Sequence, residues 1–125
     1  MTATAEHLAP DPAQVLTRAT VRAAEHLGLN QRALAETLGV SSSTVSRYAS
    51  GARTLSLDRK ERELAVLVVR LYRSLDALLG GDEPKARAWM HAPNRHLGGV
   101  PSERIRTIQG LVDVVTYLDA LRGTL

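Results

Sequence analysis

The sequence predicts an all-α fold, and three observations carry that prediction. No stretch alternates apolar and polar residues with the two-residue period of a half-buried strand. Apolar residues instead recur every three or four positions over most of the chain. Glycines, prolines and small polar residues fall between those runs, where helices start and stop. The 125 residues suffice for one ordinary domain or two very small ones sharing a core. The organisation read from the chain is a tail over 1–10, a helix-turn-helix domain over 11–57 and a second helical domain over 58–125.

The elements follow in order. Met1 to Pro10 is small and polar without a period, the pattern of a frayed tail. Asp11-Pro12 supplies an N-cap acceptor and then a proline at the first helical position. Val15, Leu16, Ala19, Ala23 and Leu27 form the apolar face of that helix, and Gly28 ends it. Asn30 caps a helix over Gln31 to Leu38, and Ser41 or Ser42 caps another that stops near Gly51.

Asp58 and Glu61 have capping-box spacing, with aspartate in the cap position, ahead of the longest helix in the chain. Its stripe is Leu64, Leu67, Val68, Leu71, Leu75 and Leu78, widened by Val66, Val69 and Tyr72. A helix apolar over so much of its circumference is buried from two sides. It either lies between the two halves of one chain or also forms a dimer interface. Gly80-Gly81 closes it. Asp82 starts a helix with Pro84 in its first turn, which Pro93 breaks. Leu97 to Pro101 reads as a loop, and Ser102 as the cap of a short helix ending near Gly110. Leu111, Val114, Val115, Leu118 and Leu121 share one side of the last helix. Trp89, the one tryptophan in a chain without phenylalanine, is expected to anchor the core of this half.

Composition narrows the functional classes. A hydrophobic content of 44% with 23% charged residues is that of a soluble globular protein. The absence of cysteine excludes disulfides and thiolate metal sites and fits the cytoplasm. No signal peptide is visible, and Arg70, Arg73 and Asp76 interrupt the longest apolar run, so no membrane association is expected. The formal net charge is +3, with five basic against four acidic residues over 1–57 and eleven against nine over 58–125. That excess provides no polybasic arm, so DNA binding would draw its affinity from a dimer or larger assembly.

Gln31 to Tyr48 carries the clearest motif. Two short helices are joined by a glycine turn: Ala35 is small where they approach, Gly39 suits a left-handed exit, and Leu34, Leu38, Val40 and Val45 lock the pair. In a helix-turn-helix the second helix enters the major groove with its N-terminal residues toward base edges. Arg47 is the candidate for direct readout, because a guanidinium pairs bidentately with guanine. Ser42, Ser43, Thr44 and Ser46 suit phosphates or either base type, Gln31 a phosphate at a helix start, and Arg53 a phosphate past the helix. Tyr48 is expected to pack on the core. The stretch resembles the Xre and Cro type of repressor domain.

Trp89, Pro93-Asn94, Leu97-Gly98-Gly99, Pro101, Gly110, Val114 and Leu118 form a second pattern. It resembles the C-terminal domain of the Xre/MbcA/ParS antitoxin family, with Ser102 and Gln109 standing where that family often has an apolar residue and glutamate. The resemblance implies a C-terminal helical toxin-binding domain and a role as a type II antitoxin. It implies a cognate RES-domain toxin, which degrades NAD and whose active site the antitoxin covers, and autoregulation by binding operator DNA as a homodimer. The toxin-binding residues it points to are Asn94, Arg95, Leu97, Gly98, Gly99, Arg122, Thr124 and Leu125. A stand-alone dimeric repressor is the alternative. No catalytic constellation, metal site or cofactor site is read: His91 and His96 lack a familiar ligand spacing, and Gly98-Gly99 lacks the lysine and helix of a phosphate loop.

Overall fold

A computed structural model describes residues 9–123. Most of the expected tail, together with Thr124 and Leu125, lies outside the described residues. Seven α-helices are present among them: α1 Pro12–His26, α2 Gln31–Leu38, α3 Ser42–Ser50, α4 Lys60–Leu78, α5 Glu83–His91, α6 Pro101–Arg104 and α7 Ile108–Gly123. The only ladder pairing among the described residues is an isolated antiparallel bridge between Asn94 and Gly99.

Local signals set the first three helices. The Asp11 carboxylate accepts from Ala13 N at 3.0 Å, with Pro12 opening α1. The Asn30 side chain accepts from Ala33 N at 2.8 Å, and Ser41 Oγ from Thr44 N at 3.1 Å. Ser41, not Ser42, is thus the cap of α3. Gly39 ends α2 at φ 71°, a left-handed conformation that glycine adopts without a Cβ penalty.

The helix α4, at 19 residues, is the longest, and it packs mainly on α1 on one side and α7 on the other. Val68, Leu71 and Leu75 are fully buried within a single cluster that runs from Ala23 in α1 to Leu118 in α7. Both halves of the chain therefore share one core through α4. In the second half of α4, Arg70 and Ser74 bind the Asp119 carboxylate of α7 at 2.6 and 2.8 Å.

Five expectations are corrected. Val15 is 52% exposed; the inner face of α1 is Thr17, Thr20, Ala23, Ala24 and Leu27, the threonines donating to carbonyls one turn back. Thr17 Oγ1 also accepts from the buried Leu55 N at 2.8 Å, a long-range bond that fixes the loop after α3. Asp58 does not cap α4. Arg59 holds that position without a side-chain bond, while Asp58 binds the Ser56 hydroxyl and Glu61 accepts from Ser56 N at 3.3 Å. Ser102 does not cap α6, which begins at Pro101 after Val100 and ends at Arg104.

Gly110 lies inside the first turns of α7 and does not end the helix before it. It is the point of closest approach there: a Cβ would stand 1.7 Å from the Arg104 carbonyl oxygen. Finally, Trp89 is only half-buried, and the neighbouring Met90 is the fully buried side chain of α5. The indole stacks near-parallel to Tyr117 of α7, with ring centroids 6.5 Å apart. An unbranched thioether fills an irregular slot that a rigid bicyclic ring does not.

Candidate functional site

The first candidate surface is the outer side of α2 and α3. Leu34, Ala35, Leu38, Val45 and Tyr48 are buried and fix the angle between the two helices. Ser42, Ser43, Ser46 and Arg47 are exposed together on α3. Ser43 Oγ lies 3.0 Å from Ser41 Oγ. The Arg47 side chain has no hydrogen bond or ion pair among the described residues, so its guanidinium is available to a ligand. Gln31 is exposed at the first position of α2.

Thr44 is set apart from this group. It is 9% exposed, and its hydroxyl lies 2.9 Å from Ser41 Oγ, inside the cap of α3. Arg53 is exposed, and its backbone N–H donates to the Arg47 carbonyl at 3.2 Å, which holds it against the last turn of α3. The Tyr48 hydroxyl donates to Glu61 Oε2 at 3.4 Å and links α3 to the start of α4. Burial first, then the Glu61 carboxylate, raises the Tyr48 pKa above that of a free phenol, with Arg53 opposing. Tyr48 is therefore a neutral core group.

The second surface is the 93–100 segment with the outer side of α5 and α7. Asn94 and Gly99 exchange backbone bonds at 2.9 and 3.2 Å, closing a tight loop. Asn94 Oδ1 accepts from Leu97 N at 3.1 Å inside it, and Gly98 has φ 70°. The Asn94 side chain is thus used in shaping the loop. Arg95 and Gly98 are exposed at its tip, whereas Leu97 is a buried plug, 7% exposed.

His96 stacks on Tyr117 at 5.6 Å, so His96, Tyr117 and Trp89 form a continuous aromatic strip beside the loop. Sequence reading missed this strip, because only a shared partner on α7 brings residues 89 and 96 together. Arg122 is exposed at the end of α7, with its guanidinium donating to Ser74 Oγ at 3.2 Å. The Gly99 and Arg104 neighbourhood is held by an Arg104–Asp113 ion pair at 3.0 Å.

A hydrogen bond and an ion pair join the two halves of the chain. His26 Nδ1 of α1 lies 2.9 Å from Glu83 Oε1 of α5, with the imidazole stacked on Tyr72. Arg106, before α7, pairs with Glu36 of α2 at 3.0 Å. His91 Nδ1 lies 2.9 Å from the Arg87 carbonyl, so each of these histidines serves packing or a helix end. No helix of the described residues is long and apolar enough to cross a membrane.

Two family models match the chain. One, described as the antitoxin Xre-like helix-turn-helix domain, covers residues 6–70. The other, described as the antitoxin Xre/MbcA/ParS C-terminal toxin-binding domain, covers residues 74–123. The first match contains the α2–α3 surface, the second contains the loop and the aromatic strip, and they meet within α4. No curated protein matches the chain.

Proposed function

Since the chain belongs to the Xre/MbcA/ParS antitoxin family, as a type II antitoxin with a DNA-binding helix-turn-helix and a toxin-binding domain, we propose that it neutralises a RES-type, NAD-degrading toxin by covering its active site. The match of the toxin-binding domain over residues 74–123 carries this reading. The geometry offers a means. A rigid loop with Arg95 and Gly98 at its tip stands beside a strip of stacked aromatic rings, and aromatic and arginine side chains dominate the energetics of protein interfaces. In this reading Arg95, Gly98 and Arg122 reach the toxin, while Asn94, Leu97 and Gly99 hold the loop in shape. Thr124 and Leu125, which the resemblance implies as further toxin contacts, lie outside the described residues.

The protein in this reading also binds operator DNA of its own operon in the cytoplasm and represses it. It does so as a homodimer, because a palindromic operator mirrors a two-fold protein. An apolar groove formed by Leu64, Val66, Leu67, Ile108 and Val112 supports self-association, with Ile108 63% exposed. A family of antitoxins is one of binding proteins, not enzymes.

Co-expression tests the central claim. Cells making the adjacent-gene toxin should lose NAD and stop growing, and making this chain as well should restore both. If NAD falls but this chain gives no protection and does not co-purify with the toxin, the antitoxin reading fails. If growth stops without loss of NAD and this chain restores it, the toxin is not of the RES type.

A further inference from the structure

A recess of about 280 Å³ opens beside the aromatic strip, lined by His96, Leu97, Arg104, Asp113, Thr116 and Tyr117. His96 and Leu97 belong to the 93–100 loop, and the other residues come from α6 and α7. Arg104 ties the recess to the loop, since a Cβ at Gly99 would lie 3.5 Å from its Cδ.

The polar groups around the recess do not balance. Arg104 Nη2 donates to Asp113 Oδ2 at 3.0 Å, and Gln109 Nε2 donates to Asp113 Oδ1 at 2.7 Å. Asp113, the acid of the lining, is thus engaged at both oxygens. Arg104 Nε is buried without a partner, and no other buried side-chain nitrogen or oxygen of the described residues shares that state. Arg104 Nη1, the Thr116 and Tyr117 hydroxyls and the His96 ring nitrogens also have no hydrogen-bond partner among the described residues. A guanidinium carries donors only, and each hydroxyl and a neutral imidazole bring one donor apiece. Arg95, exposed at the tip of the adjoining loop, adds a second cation without a side-chain partner there. The unspent capacity of this corner is therefore for an acceptor, and its charge is positive.

Size and surroundings select the occupant. Small-molecule sites run from about 300 to 1,000 Å³. The recess falls below that range, which suits a single side chain better than a cofactor. It shares His96 and Tyr117 with the strip that runs on to Trp89, so whatever fills it also covers exposed aromatic rings. A free anion would leave that strip in water, whereas a protein surface covers both.

We infer that the recess seats a carboxylate side chain of the toxin, an aspartate or glutamate held by Arg104 and the Thr116 and Tyr117 hydroxyls, with apolar toxin surface laid over the strip around it. The planar fork of a guanidinium matches a carboxylate, and such charged hydrogen bonds are stronger than neutral ones. The Arg104 side chain is 36% exposed, so its guanidinium has room to turn Nε toward the incoming acceptor. The inference rests on the toxin-binding reading above and adds the chemistry of the contact.

The test places charge in the recess from this chain itself, at the exposed Thr116. Thr116→Glu supplies a carboxylate in place of the toxin's, and Thr116→Gln supplies the same bulk without charge. Each full-length variant is titrated with the adjacent-gene toxin stripped from its co-purified complex, and far-UV circular dichroism should show unchanged melts. Thr116→Glu should weaken binding by about tenfold or more, because like charges then face each other, while Thr116→Gln stays within about threefold of the unaltered chain. Thr116→Lys should keep binding and, with a zero-length carbodiimide, form an amide to a toxin aspartate or glutamate that mass spectrometry locates.

Equal weakening by Thr116→Glu and Thr116→Gln overturns the inference, by showing an effect of bulk alone. So does full binding by Thr116→Glu, or a Thr116→Lys complex that forms but gives no cross-link to a toxin carboxylate. If the unaltered chain does not bind the toxin, the antitoxin reading itself fails and the inference with it.

Discussion

Replacing Gly110 by alanine should destabilise the C-terminal half even though the site is helical. Alanine is the better helix former by about 0.8–1 kcal/mol, so propensity alone predicts a gain. The geometry predicts a larger loss. The added Cβ would stand 1.7 Å from the Arg104 carbonyl oxygen, half the 3.4 Å at which ordinary contact begins, and 2.7 Å from the Arg104 carbonyl carbon. Both are backbone atoms, so no side chain can rotate away. Relief requires moving the α6–α7 turn, and with it the bond from Gly110 N to Thr107 Oγ1 at 3.0 Å and that from Leu111 N to the Thr107 carbonyl at 2.9 Å. Leu111 is fully buried, so the movement reaches the core.

Overpacking typically costs 1–3 kcal/mol, and a backbone clash belongs at the upper end. Set against the propensity gain, the net loss is about 2 kcal/mol. For a domain of this length, each kcal/mol shifts the Tm by roughly 4 °C, which gives a fall of about 8 °C. Thermal unfolding followed by far-UV circular dichroism measures it. Gly123→Ala, in the same helix with nothing within 4 Å of the added Cβ, should melt close to the unaltered chain. A Gly110→Ala protein that melts at or above the unaltered chain would refute the close approach of α7 to Arg104.

Arg47→Ala should weaken operator binding by roughly 1–3 kcal/mol if the guanidinium reads a guanine, measured by anisotropy, and leave toxin rescue intact. Equal loss of both activities would mean that Arg47 supports the fold. The hydrogen bond from His26, helped by the charge of Arg87, lowers the Glu83 pKa below the ordinary carboxylate value, against partial desolvation. The stability this contributes is present above the unfolded carboxylate pKa of about 4.3 and is lost as pH falls through the lower folded value. Glu83→Gln should therefore lower the Tm at neutral pH and differ less from the unaltered chain in acid; a constant difference at every pH would contradict this. Ile108→Glu places a charge in the apolar groove and should shift the mass in solution from dimer to monomer, as read by light scattering. An unchanged mass would remove that groove from the dimer interface.

What the sequence made legible is what local chemistry decides. Asn30, Gly39, Ser41 and Asp82 act on backbone groups within a few residues, and each does what its position in the chain predicts. The misread residues answer to distant partners. Glu61 is drawn from the helix cap by Tyr48, thirteen positions earlier. Gly110 is explained only by the return of the chain onto Arg104, and the half-burial of Trp89 only by its stacking on Tyr117. The candidate DNA surface was legible because all but Arg53 fall on two adjacent short helices. The split between exposed and buried members was not: the phase of α3 sinks Thr44 beneath Ser43, and the loop closure sinks Leu97.

One unbroken helix, α4, carries the seam between the DNA-binding and toxin-binding matches. It works as an axle and not as a hinge. Its first turn is pinned to the recognition helix through Tyr48 and Glu61, and its later turns to α7 through Arg70 and Ser74. Angular phase along that axle then becomes a heritable property of the protein. Adding a single residue near its middle would turn one end against the other by about 100°. Evolution of such a chain can exchange surface residues freely at either end, but length changes in α4 are admissible only where both ends can be re-registered together.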